Sequence, residues 1–121
     1  MDRIYIGVLH VVLRIPGART RKDRRQTVSS VRDRLRARFD VSVHEIGTSG
    51  DPQYQTLVCT TSGNDAKVLR TVLDSCAGAI HSHPVAEATQ LDIDVFRWQP
   101  SEGDWAARMM AELSDEDEDD G

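Results

Sequence analysis

The segment Ile4–Ile15 alternates with the period of a strand. Gly7, Leu9, Val11, Leu13 and Ile15 share one face, which carries no polar side chain; Ile6, Val8, His10, Val12 and Arg14 share the other, which turns polar towards its end. A strand with one face on a core and the other partly covered reads this way. Pro16-Gly17 stops it, and the period becomes helical. Val28, Val31, Leu35 and Phe39 recur as one apolar stripe, with Thr20 and Asp23 at capping-box spacing in front. That predicts a helix over about 21–39. Val41–Ile46 and Tyr54–Thr61 read as two strands joined by the turn Gly47–Pro52, a hairpin. Asn64 is the expected cap of a second helix over about 65–80, with the stripe Val68, Leu69, Val72, Cys76 and Ile80. His81–Ala88 is a connector, and Gln90–Trp98 a fourth strand.

The order β-α-β-β-α-β predicts an α+β, ferredoxin-like domain over residues 1–98: a four-stranded antiparallel sheet with two helices on one face. The fourth strand should pair with the first and leave the second at an edge. Residues 99–113 read as a short amphipathic helical appendix, with Trp105, Met109 and Leu113 four apart. A helix that short needs a surface to dock on. Residues 114–121 contain the acidic run Asp115–Asp120 and are expected to be disordered.

Composition narrows the class. At 121 residues with 39% hydrophobic content, the chain has material for one modest core. No apolar run approaches the roughly 20 residues of a membrane span. Ile4–Leu13 has the length of a signal-peptide core, but its Val/Ile content and His10 favour a strand. Cys59 and Cys76 form no CxxC, which argues against a zinc ribbon or disulfide framework and suits a reducing cytoplasm. The net charge of −5 hides an asymmetry: residues 101–121 hold nine acids and one base, whereas residues 14–38 hold ten bases and two acids.

A helix so crowded with Lys and Arg is the electrostatic footprint of a polyanion site. Lys22, Arg25, Arg32 and Arg36 are the expected phosphate contacts, with Arg19 and Arg21 at the helix mouth. There the small residues Pro16-Gly17-Ala18 would let backbone N–H groups approach an anion. The plainer reading of the same loop is a strand-to-helix turn.

The stretch Ile15-Pro16-Gly17-Ala18-Arg19, with Lys22 and Arg25 behind it, resembles the YlxP-like family of small bacterial proteins, a domain of unknown function. Gly7-Val8-Leu9, Arg38-Phe39 and Val41-Ser42-Val43 fit the same pattern. The resemblance runs over residues 3–97 and is most specific over 4–46; Thr20, Arg21 and Asp23 depart from it. It implies a ferredoxin-like fold and a cytoplasmic protein of a kind often encoded beside translation and ribosome-maturation factors. It implies no activity.

Other chemistry is thinner. His81 and His83 offer two imidazoles without a third ligand at a usual spacing, so no metal and no cofactor are expected. Asp92 and Asp94 share one strand face and are expected to offset His10 or Arg14 on the neighbouring strand. Acylphosphatases share the fold and use a loop Arg with an Asn; Arg19 and Asn64 are present, but the glycine-rich loop signature is not. Tyr5 and Tyr54 lie near strand ends, so no aromatic pair suits base stacking on the sheet. The expected function is a non-enzymatic accessory protein for structured RNA, with the ribosome or its precursor as the expected target and no small-molecule substrate evident. The alternative is an interaction or homodimerisation module using Trp105 and Met109, and the minor alternative an acylphosphatase-like hydrolase.

Overall fold

The computed structural model describes residues 3–47, 50–100 and 105–119, the last segment with side chains at 107–114 only. The elements are β1 (Ile4–Arg14), α1 (Arg21–Arg38), β2 (Ser42–Ile46), β3 (Tyr54–Gly63), α2 (Ala66–His81), β4 (Glu87–Trp98) and α3 (Trp105–Asp119). The strands form one antiparallel sheet in the order β2-β3-β1-β4, the predicted ferredoxin-like arrangement. β2 lies at one edge, as expected, and β4 at the other.

The alternation of β1 decides which face is covered. Leu9, Val11, Leu13 and Ile15 are fully buried with Val28, Val31 and Leu35 of α1 and Leu73, Cys76 and Ile80 of α2. Each such side chain contributes roughly 1.5–3 kcal/mol of burial. Gly7 belongs to the same face because α2 comes too close for a side chain. A Cβ there would lie 2.8 Å from Leu73 Cδ1 and 3.2 Å from Thr61 Cγ2.

α1 begins as its sequence dictates. Thr20 Oγ1 accepts from the Asp23 N–H at 3.1 Å, and Asp23 Oδ2 accepts from the Thr20 N–H at 3.2 Å. α2 departs from expectation at two points. Its cap is Asp65, not Asn64: Asp65 Oδ1 accepts from the N–H groups of Lys67 and Val68. Its buried stripe is Leu69, Leu73, Cys76 and Ile80, which leaves Val68 more than half exposed. Leucine fills the space under Gly7, and Val68 lies one position out of that phase.

On the open face of the sheet, Asp92 pairs with His10 at 3.5 Å, while Arg14 takes Glu87 at 3.1 Å. Phe96 and Trp98 stand opposite Ile6 and Ile4 at one end of the same face, all partly exposed. α3 continues past residue 113 through the acidic run to Asp119, where disorder was expected. Among the described residues it makes no contact with the rest of the fold, and Met109, Met110 and Leu113 are exposed. Docking on its own sheet, one of the two surfaces open to such a helix beside a neighbouring molecule, is therefore not seen among the described residues. The side chain of Trp105, assigned there to a partner, lies outside the described residues.

Candidate nucleic-acid interface

α1 has two flanks beside its buried stripe. Arg21, Arg25, Arg32 and Arg36 are spaced by four, seven and four residues, so they form one row. That row faces the β2–β3 end of the sheet. Arg21, Arg24, Arg25, Ser29 and Arg32 make one wall of an open cleft of about 720 Å³, and Glu45, Gly47 and Gln55 make the other.

The arginines differ in what they are free to do. Arg21 and Arg25 are exposed. The Arg32 side chain is 27% exposed, with Nε 3.4 Å from Asp33 Oδ1 and Nη1 3.9 Å from Glu45 Oε2. Arg36 is occupied: its Nη2 donates to the Val43 carbonyl oxygen at 2.8 Å, which covers a main-chain acceptor on the edge strand. One of its five N–H donors is used there, and the residue is otherwise exposed. Lys22 is exposed but projects from the helix outside this row.

Arg24 lies outside the expected set. It sits in the phase of the buried stripe, four residues before Val28, and is only 8% exposed. Its Nη1 donates to the carbonyl oxygens of Asp51 at 3.2 Å and Tyr54 at 3.4 Å. It therefore ties the turn between β2 and β3 to the first half of α1. Gln55 fixes the floor in the same way, its Nε2 donating to the carbonyls of Gly47 and Thr56 and, at 3.5 Å, of Ile46.

The loop before α1 forms the plainer of its two readings, a capped strand-to-helix turn, and its N–H groups at Arg19 and Thr20 are not open to an anion. The Arg19 N–H donates to Asp23 Oδ2 at 3.0 Å and the Thr20 N–H to the same oxygen. The chain's own carboxylate stands where an anion would sit, and the Arg19 N–H holds that carboxyl below the usual range. Arg19 itself is exposed and lies outside the cleft.

The remaining candidates resolve as structural. His83 Nδ1 accepts from the Val85 and Ala86 N–H groups at 3.1 and 3.0 Å, and Nε2 lies 3.1 Å from Ser30 Oγ. With Nδ1 accepting, the ring proton belongs on Nε2 and is donated to Ser30. Burial, with Arg34 nearby, pushes the ring's pKa down. Among the described residues no three metal-ligating side chains come together. Cys59 and Cys76 are buried thiols, pushed up to about 12 and about 11 by loss of solvent. The acylphosphatase-like reading needs Arg19 and Asn64 together. Tyr54 pairs with Arg14 at one end of β1 and Gly63 with Tyr5 at the other, so the two residues lie at opposite ends of a strand roughly 35 Å long.

The family described as a protein of unknown function, DUF503, matches residues 6–93, and the chain belongs to it. No curated protein matches the chain. Solved structures of similar shape include the de novo designed protein Foldit4, at 8% identity over 81% of this chain and 99% of that one, with a TM-score of 0.45. Protein YjcS is similar at 5% identity over 74% and 96%, with a TM-score of 0.44. SnoaB, a cofactor-independent oxygenase from Streptomyces nogalater, is similar at 11% identity over 86% and 100%, with a TM-score of 0.39. Likeness at this level carries no argument about activity. Among the described residues no helix is long and apolar enough to cross a membrane.

Proposed function

We propose that this DUF503 member is YlxP-like and serves, without catalysing a reaction, as a cytoplasmic accessory protein that binds structured RNA, the ribosome or its precursors being the fitting targets. One observation carries the reading: Arg21, Arg25 and Arg32 line a single open cleft whose floor and turn are held rigid by Arg24 and Gln55. Clustered, positioned guanidinium groups supply the phosphate attraction that dominates nucleic-acid affinity. Arg21 and Arg25 are the phosphate contacts, Arg32 a deeper guanidinium in the same cleft, and Arg19 and Lys22 peripheral charges. The test is co-sedimentation of the protein with ribosomal particles, before and after nuclease. Loss of the protein from the particle fraction on nuclease treatment supports RNA as the partner. Retention through nuclease treatment contradicts it.

A second reading, association with another copy or a protein partner, is favoured by a separate observation. Ile4, Phe96 and Trp98 are exposed on the open face, and Met109, Met110 and Leu113 of α3 are exposed, α3 making no contact with the rest of the fold among the described residues.

A further inference from the structure

The cleft contains a group that a pure phosphate site would exclude. Glu45 faces the arginines from β2, and a carboxylate at that position repels an incoming phosphate. Its internal partner is a long ion pair with Arg32, which leaves its hydrogen-bond acceptors open. Its distance to Arg32 Nη1, 3.9 Å, is too long for a hydrogen bond. Its side chain is 41% exposed, and among the described residues its oxygens accept no hydrogen bond. Arg32 stands beside it with a planar guanidinium, a surface on which a base can stack. The cleft volume falls within the range of small-ligand pockets and suits one nucleotide rather than a helix.

We propose, building on the RNA reading of this cleft, that it takes one unpaired guanine, with Glu45 as the residue that selects the base. A carboxylate offers two acceptor oxygens and no donor. Guanine alone among the RNA bases presents two adjacent donors on its Watson–Crick edge, N1–H and the N2 amino group, which a carboxylate accepts together. Cytosine and adenine offer one amino donor beside an acceptor nitrogen. Uracil offers N3–H between two carbonyl oxygens that repel the carboxylate. The edge is accessible only in an unpaired base, which points to a loop or bulge within a structured RNA. Arg21 and Arg25 at the mouth hold the flanking phosphates, and Arg32 stacks on the base.

The test is fluorescence anisotropy with labelled ten-nucleotide uridine oligomers, plain or carrying one central guanosine, adenosine or cytidine. The wild-type protein should bind the guanosine oligomer about tenfold more tightly than plain oligouridine, with adenosine and cytidine between. In Glu45→Gln the guanosine preference should fall to about twofold or less, while affinity for plain oligouridine holds or rises. Equal wild-type affinity for all four oligomers overturns the guanine assignment and leaves the phosphate reading standing. So does a guanosine preference that survives both Glu45→Gln and Glu45→Ala. Failure to bind any oligomer or any structured RNA overturns both.

Discussion

Arg32 and Glu45 face each other across the arginine cleft at 3.9 Å, one on α1 and the other on edge strand β2. The pair is long and open to solvent, so its contribution to stability is small, of the order of 0–1 kcal/mol. Its consequence is positional: among the described residues lining the cleft, the acidic side chain sits opposite the half-buried Arg32. A reversal of Arg32 to Glu would set two carboxylates against each other and disturb the cleft. Arg21 and Arg25 are therefore the positions at which charge can be removed with the fold left alone.

Arg36 separates structure from binding. It covers the Val43 carbonyl on the β2 edge. Arg36→Gln should lower stability by about 1 kcal/mol, the value of a net hydrogen bond. It should reduce RNA affinity less than Arg25→Gln does. Chemical denaturation and filter binding on the two variants check this, and equal losses of affinity would place Arg36 among the phosphate contacts after all.

His83 gives the fold a pH dependence whose sign is fixed by its bonds. Its pKa in the folded protein lies below the ordinary 6.5. Between those two values the unfolded chain binds more protons than the native one, so stability falls as pH drops through about 6.5. Protonation at Nδ1 would break the bonds from Val85 and Ala86. The urea midpoint should be lower at pH 5.5 than at pH 7.5, and His83→Gln should flatten that difference.

The two cysteines are expected to be inert in the native state. With thiols raised to about 12 and about 11 and side chains fully buried, neither holds useful thiolate near neutral pH. A thiol-exchange reagent at pH 8 should label neither in native protein and both in urea. Rapid native labelling would show that the core around α2 opens.

Gly78 lies inside α2, and a Cβ there would meet nothing within 4 Å. Gly78→Ala should stabilise the protein by about 0.5–1 kcal/mol through helix propensity and a less flexible unfolded chain. A thermal melt shifted downward would show that the last turns of α2 are not helical in solution.

The fold was legible because its signals are local. The two faces of β1 differ sharply, and Thr20 with Asp23 marks the start of α1 within four residues. In α2 the window holds two overlapping stripes; the buried one runs through Leu69, Leu73, Cys76 and Ile80, with Leu73 packed under Gly7, and Val68 falls outside it. The basic flank of α1 was legible as charge, and its sorting was not. Arg36 and Arg24 are engaged by carbonyls of Val43, Asp51 and Tyr54, which arrive from the hairpin. The regular spacing of Arg24 before Val28, Val31 and Leu35 was the available sign of its burial. Glu45 shares the face of Val43 by strand alternation, but which side chains that face meets is set by the topology, not by the local sequence.

The salt dependence of RNA binding tests the central claim most directly. Wild-type protein should lose affinity steeply as salt rises from about 50 to about 200 mM, as phosphate contacts do. In Arg21→Gln/Arg25→Gln, with an unchanged unfolding midpoint, the slope of log affinity against log salt should shrink by about two, one for each lost phosphate contact. An unchanged slope in the folded variant would contradict the account, and so would salt-insensitive binding by the wild type.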